Sequence, residues 1–333
     1  MTATTARFVR TSSALLVTTA LIGSLSACTG TLGAAACEPI VPTGETAGYV
    51  EADGNFGSLP EVDFPTPLAS DGTQQSLLIE GEGDPIANGQ IVDFQVVLLN
   101  GNDGEIITAS AYDDEEVPLR RTAGSDIDVL AEVLQCAQVG SRIAVTGTMA
   151  DVFDEETLAN IEGSLGLKAD DAIVLVVDVQ AAYLGRATGL PQLGASGIPA
   201  VVTAPNGQPG VTIPNEEPPT EVRSHTLVLG QGATVEDGDR VVLHYTGLLW
   251  STQAVFDSSW EREAPATFTI TSFENDPNGI VPGLAEGLVG RTIGSQVIVV
   301  IPPEFGYPAG QAPASIPDGS TMVFVVDLLG IED

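Results

Sequence analysis

The chain has 333 residues, enough for two domains of ordinary size, and 43% of them are hydrophobic, enough to fill real cores. Its 11 Lys+Arg against 45 Asp+Glu leave a formal charge of −34. Such a surface repels nucleic acid phosphates and anionic lipid headgroups and suits solubility in a salty exterior.

The N-terminus reads as a targeting segment. Arg7 and Arg10 precede the apolar run ALLVTTALIGSLSA, which is too short to span a bilayer comfortably and has signal-peptide proportions. It ends in LSAC, residues 25–28, which resembles the lipobox of bacterial lipoproteins. That resemblance implies acylation of Cys28, cleavage before it, and a lipid anchor on the outer face of the cytoplasmic membrane. The alternative is an ordinary secretory signal with Cys28 incidental; both export the protein. Cys37 and Cys136 remain, either bridged in an oxidising compartment or unpaired. With only His225 and His244, and no C-x-x-C, the chain offers no metal-ligand spacing and no Cys–His couple. No metal and no cofactor is expected.

Residues 29–75 form a Pro-punctuated leader containing FGSLPEVDFPTPLASDG. Strand-like runs follow in QSLLIEG, QIVDFQVVLL, EIITAS, SRIAVTG and AIVLVVDVQAAYL, within residues 76–188. Residues 189–222 are rich in Gly and Pro without a helical period, and read as an extended connector. A second β-rich unit, 223–333, carries HTLVLG, RVVLHYTGLL, AVFDSS, ATFTI, SQVIVVIP and MVFVVDLLGI. Each unit holds one short helix candidate, DVLAEVLQCA and GLAEGLVG.

The two lists are one list twice. At a constant offset of 149 residues NGQIVDFQVVLL lies over DGDRVVLHYTGL, IITAS over VFDSS, and AIVLVVDV over TMVFVVDL. At 154, LAEVLQCAQVGSRIAV lies over LAEGLVGRTIGSQVIV. Two copies argue for tandem domains and against a solenoid.

In the second copy GDRVVLHYTG, FDSSWERE, IVPGLAEGL, VVIPPEFGYP and SIPDGSTMVFVVDLL fall in the order and spacing of the FKBP family, macrolide-binding peptidyl-prolyl isomerases. The likeness covers about residues 223–333; the leader and tandem arrangement also resemble exported actinobacterial members. It implies an α+β fold: two tandem FKBP-like domains, each a twisted antiparallel sheet wrapped over one short helix. It also implies prolyl isomerisation. The X-Pro barrier is amide resonance, close to the general amide value of ~18–20 kcal/mol. A dry apolar bowl with few polar tips lowers it without nucleophile or metal.

By motif position Tyr245, Phe256, Ile280, Val281, Tyr307, Ile316 and Phe324 would line the bowl. The Val281 N–H and Tyr307 hydroxyl would hold substrate carbonyls, and Asp257 would sit at the rim. Asp257 has a plainer alternative, an Asx turn with Ser259. His244 alternates away from Tyr245 and reads as an outward strand residue. Trp250 and Trp260 read as partial surface covers, and Phe268 as core or pocket.

Three departures from the family pattern stand out. Leu284 replaces the usual Trp floor, Ala266 replaces a second aromatic wall, and TSFENDPNG is about five residues longer than in compact members. Weaker or altered macrolide affinity is therefore expected. In the first copy Tyr245 becomes Val96, Phe256 becomes Ile107, Asp257 becomes Thr108 and Ser258 becomes Ala109. That copy is expected to keep the fold and lose the chemistry, so activity would lie in the C-terminal copy alone. The expected partners are proline-containing unfolded or partly folded exported proteins. The alternative is a non-catalytic chaperone in which both domains hold extended segments.

Overall fold

The computed structural model describes residues 1–2, 37–69, 72–112, 118–125, 129–165 and 167–332. Cys28 and residues 3–28 of the expected signal peptide lie outside the described residues. Among the described residues no helix is long and apolar enough to cross a membrane.

Strands dominate from Cys37 onward. A hairpin of β1 (Glu51–Asp53) and β2 (Glu61–Asp63) comes first. β3 (Gln74–Ile79), β4 (Ile91–Asn100), β5 (Ile106–Ala109), β6 (Leu119–Thr122), β7 (Arg142–Thr148) and β8 (Ala172–Tyr183) then build a sheet in the order β3-β7-β8-β4-β5, with β6 also on β4. β4 and β8 are buried on both faces and rich in Val, Ile and Leu, interrupted by the buried polar residues Asp93, Gln95 and Asp178. The inner face packs on α1 (Val129–Leu134), whose Ala131, Val133 and Leu134 are buried.

The same plan recurs. β9 (Leu190–Pro191) leads into a second hairpin, β10 (Ala200–Thr203) and β11 (Pro209–Thr212). β12 (Arg223–Leu229), β13 (Arg240–Leu249), β14 (Val255–Ser258), β15 (Ala266–Ser272), β16 (Gly279–Ile280), β17 (Gln296–Ile301) and β18 (Met322–Glu332) form a sheet ordered β16-β15-β13-β18-β17-β12-β9, with β14 on β13. Its helix, α4 (Pro282–Leu288), starts on a proline whose missing N–H costs nothing at a helix N-terminus. α4 buries Leu284, Ala285 and Leu288 against the sheet.

The repetition extends to the register. Leu98 faces Thr108 and Val96 faces Val177 in the first sheet; 149 residues on, Gly247 faces Asp257 and Tyr245 faces Val326. The β4–β5 and β13–β14 pairs are bulged at matching positions. The hairpins obey the same spacing: Glu51 pairs with Asp63, and Ala200 with Thr212.

Residues 189–222 are thus not the extended connector that their composition indicates. Val201, Val211 and Ile213 of this stretch pack on Leu248, Trp250, Ile298, Val300, Val323 and Val325 from the outer face of the second sheet. The leader does the same for the first sheet, laying Val62, Phe64 and Leu68 on Val97, Leu99, Val174 and Val176. Removing an aliphatic or aromatic side chain from water contributes roughly 1.5–3 kcal/mol, and that drives both segments onto their sheets.

The first unit departs from the one-helix expectation. Residues 148–165 form α2 (Met149–Val152) and α3 (Glu155–Leu165) where the second unit runs through the Tyr307 loop. Thr148 and Asp151 make a reciprocal capping box that starts α2. Cys37 and Cys136 form a disulfide with Cα atoms 5.5 Å apart, tying the leader to the end of the α1 segment. The two sheets meet where Tyr183 lies against Gly330: a Cβ there would come 2.3 Å from the ring. Arg120 bridges the same junction, donating to Asp93 of the first sheet and to Thr267 and Glu332 of the second.

Candidate functional site

The inner face of the second sheet opens at one end into a cavity of about 610 Å³. β13 delivers Tyr245, β14 Phe256 and Asp257, and β18 Phe324. Ile280 and Val281 enter just before α4, Leu284 from its first turn, and Tyr307 and Ile316 from the loop after β17. All nine residues singled out for the bowl and its rim therefore border one space. Its floor is aliphatic: Leu284 is 2% exposed.

The aromatics interlock. Phe256 meets Phe324 edge-on at 5.5 Å, and Tyr245 packs against Phe268 at 5.2 Å and Phe324 at 6.3 Å. Gly247 makes room for them, since a Cβ there would fall 2.5 Å from the Phe256 ring and 3.1 Å from Phe324. Phe268, readable from sequence as core or pocket, does both. Phe273, from the lengthened segment after β15, lines the cavity and lies parallel to Tyr307 at 6.4 Å. An aromatic wall thus comes from an insertion that motif matching gives no reason to search.

The rim holds the polar groups. The Tyr245 hydroxyl donates to Asp257 Oδ2, and Arg262 donates to Asp257 Oδ1. Arg262 also donates to Tyr245 Oη at 3.0 Å and lies over its ring, 5.6 Å from the centroid. Asp257 and Arg262 are both partly exposed, at 42% and 49%, so the pair sits at the mouth. The carboxylate does not take the Asx turn: the Ser259 N–H goes to the Tyr245 carbonyl at 3.0 Å. Burial, then the bond to Asp257, pushes Tyr245 up to about 12. Burial, with Asp257 nearby, also raises Tyr307. Both stay protonated hydroxyl donors at neutral pH. Sequence reasoning missed Arg262; a cation five residues past Asp257 was the available signal, but only the turn returns it to the carboxylate.

His244 corrects its reading as an outward residue. It does face away from the cavity, yet it is 7% exposed, roofed by Trp260 at 4.0 Å between ring centroids. Its Nδ1 contacts Ser259 Oγ at 2.9 Å, and burial lowers its pKa to about 4, so it is neutral at pH 7. Trp250 is likewise no surface cover: it lies beneath the second hairpin and donates from Nε1 to the Glu216 carbonyl at 3.2 Å.

Comparison with known proteins gives this geometry its context. Residues 231–329 match the family model described as FKBP-type peptidyl-prolyl cis-trans isomerase. The chain is 33% identical over 124 residues to a probable FK506-binding protein of Corynebacterium glutamicum, covering 97% of that protein and 37% of this chain. The chain belongs to the FKBP-type isomerase family. Its FKBP region is also 44% identical over 102 residues to the FKBP-type 22 kDa peptidyl-prolyl cis-trans isomerase of Escherichia coli, spanning 46% of that relative and 31% of this chain. Among solved structures, the three FKBP domains of wheat FKBP73 align over 78% of this chain and 95% of theirs, at 17% identity and a TM-score of 0.32.

Among the described residues of the first unit, the Asp257 carboxylate has no counterpart. Thr108 stands at the Asp257 position, and Val96 and Ile107 join Phe153, Leu158 and Ile161 against that sheet's core.

Proposed function

We propose that the chain accelerates X-Pro cis–trans isomerisation with the second sheet's cavity alone, on exported or cell-envelope proteins as they fold. The prolyl ring enters the space walled by Phe256, Phe324, Tyr245 and Ile280, above Leu284. Removing water from the amide carbonyl weakens its charge-separated resonance form and favours the twisted bond. The Tyr307 hydroxyl and the Val281 N–H hold the flanking carbonyls. Asp257, fixed by Tyr245 and Arg262, keeps the rim polar and in register. The observation that carries this reading is that charged rim over an apolar floor, within a chain of the FKBP family.

The first unit, residues 76–188, is read as a second FKBP-like domain that kept its sheet and lost its site. Acylation of Cys28 would hold the protein at the outer face of the membrane. The Leu284 floor weakens macrolide binding without removing it. A non-catalytic chain-holding role is the rival outcome of the test.

Exchange rates in a panel of Xaa-Pro peptides, followed by NMR with the full chain, decide between them. The wild type is expected to accelerate exchange, and Asp257→Ala with Tyr307→Phe to lower kcat/KM at least about tenfold, ~1.4 kcal/mol of transition-state stabilisation. A folded wild-type chain with no effect on exchange would leave chain holding as the function.

A further inference from the structure

The segment that carries Asp257 to Arg262 is not held by the isomerase unit alone. Trp260 lies between those two residues, and its indole is held on one face and one edge. One face stacks on His244, at 4.0 Å and 22°. The ring edge meets the tip of the β10–β11 hairpin, where a Cβ on Gly207 would fall 2.5 Å from Trp260 Cη2 and 3.2 Å from Arg186 Cβ. Only glycine fits there, and Gly207 also has a φ of +103°, a conformation other residues rarely adopt. Arg186 fixes the tip by donating to the Pro205 carbonyl. From His244 the contacts run inward: Nδ1 to Ser259 Oγ at 2.9 Å, and Tyr245 N–H to the same oxygen at 2.8 Å. The hairpin tip thus reaches the Tyr245 backbone through Trp260, His244 and Ser259, and Trp260 itself sits on the turn between Asp257 and Arg262.

We propose that Trp260 is a positioning residue for the isomerase site, and that the hairpin around Gly207 is the support that locks it. The proposal rests on the reading of the Asp257 cavity as the isomerase site. The rim must present Asp257 and Arg262 in one geometry, and misplacement of about 1 Å can cost up to 10²-fold in rate. Asp257 stands near the end of β14 and Arg262 on the turn that follows, both partly exposed, so their mutual geometry depends on how that turn is held. The bulk of Trp260 against a fixed hairpin supplies the missing constraint.

The test compares the full-length wild type with Trp260→Ala, Trp260→Phe, Asp257→Ala and Val202→Ala, the last on the exposed side of the same hairpin. Each is assayed for kcat and KM on X-Pro peptides and for amide hydrogen exchange. Trp260→Ala is expected to lower kcat about tenfold with a smaller change in KM, Trp260→Phe to restore most of it, and Val202→Ala to match the wild type. The Glu263 and Ala264 amides, bonded within this turn, and the Ser259 amide, bonded to the Tyr245 carbonyl, should exchange faster in Trp260→Ala, while those of β17 and β18 stay protected. Wild-type activity that depends on Asp257 but not on Trp260 overturns the positioning role alone. The same holds if activity falls while the turn's exchange stays unchanged, or if β17 and β18 lose protection together with the turn. A wild-type chain without activity overturns the isomerase reading and this role with it.

Discussion

At the middle of the first sheet Arg142 sits opposite Asp178; at the matching place in the second, Gln296 sits opposite Asp327. Arg142 and Asp178 are wholly buried and joined by two bonds of 2.6 and 2.7 Å. The guanidinium also donates to the carbonyls of Asn55 and Ser58, and Asp178 accepts from the Gly57 N–H, so the pair grips the tip of the first hairpin. Gln296 does similar work with no charge: it donates to Asp327 at 2.8 Å and accepts from Thr203 of the second hairpin at 3.4 Å. Asp327 then lacks a cation opposite it, and burial pushes its pKa up to about 6. Sheet, register and hairpin are shared, while the polar centre of each outer face and the site on the inner face have diverged. The first unit fastens its hairpin with an ion pair and fills its inner face; the second uses neutral amides and keeps a cavity.

The sharpest way to break that comparison is at its two centres. Arg142→Leu leaves Asp178 buried and unpaired and is expected to cost about 3–5 kcal/mol, read from urea unfolding. Arg142→Leu with Asp178→Leu should recover most of it. Gln296→Leu removes the bonds to Asp327 and from Thr203 without breaking an ion pair and should cost less, about 1–3 kcal/mol. Next in size is Cys136→Ser, which frees a closure of 99 residues found only in the first unit. Unfolding followed by hydrogen exchange should show a loss of about 2–5 kcal/mol concentrated in β3, β7 and β8. Smaller in structural effect is a graft of Ile107→Phe with Thr108→Asp. Added to a chain already silenced by Asp257→Ala, it should restore no peptide exchange, because Phe153, Leu158 and Ile161 fill that face.

The smallest effect is in acid. The folded pKa of His244 falls from 6.5 to about 4, so its contribution is present above pH 6.5 and is lost as pH falls toward 4. That of Asp327 rises from 3.8 to about 6, so its contribution is complete below pH 3.8 and is lost as pH rises through 6. The two oppose each other. Urea midpoints of His244→Gln should therefore gain relative to wild type as pH drops from 7 to 4.5, and those of Asp327→Asn should fall.

Much of this was legible in the residues. The apolar runs and the 149-residue offset locate both sheets, and the FDSS and GY motifs bring the cavity's lining together. The hairpins escaped notice because EADGNFGSLPEVDFP and AVVTAPNGQPGVTIP are identical at only three of 15 positions, Pro60/Pro209, Val62/Val211 and Pro65/Pro214. Their likeness is one of pairing, and pairing is invisible along a single strand. His244 and Trp250 were misjudged for the same reason. Alternation tells which face a side chain takes, but not what another segment lays on that face. Phe273 and Arg262 depend on turns whose geometry their composition does not encode.

The hairpin's cover of the second sheet sets where an isolable unit begins. A chain started at residue 223 would keep the whole cavity, yet it would leave Leu248, Trp250, Ile298 and Val300 bare on one broad face. Such a plane is an adhesive surface for another copy of itself. Each hairpin is in effect a built-in partner that occupies its sheet before a neighbour can. Two such guarded sheets in one chain can stand side by side at high local density and remain separate molecules.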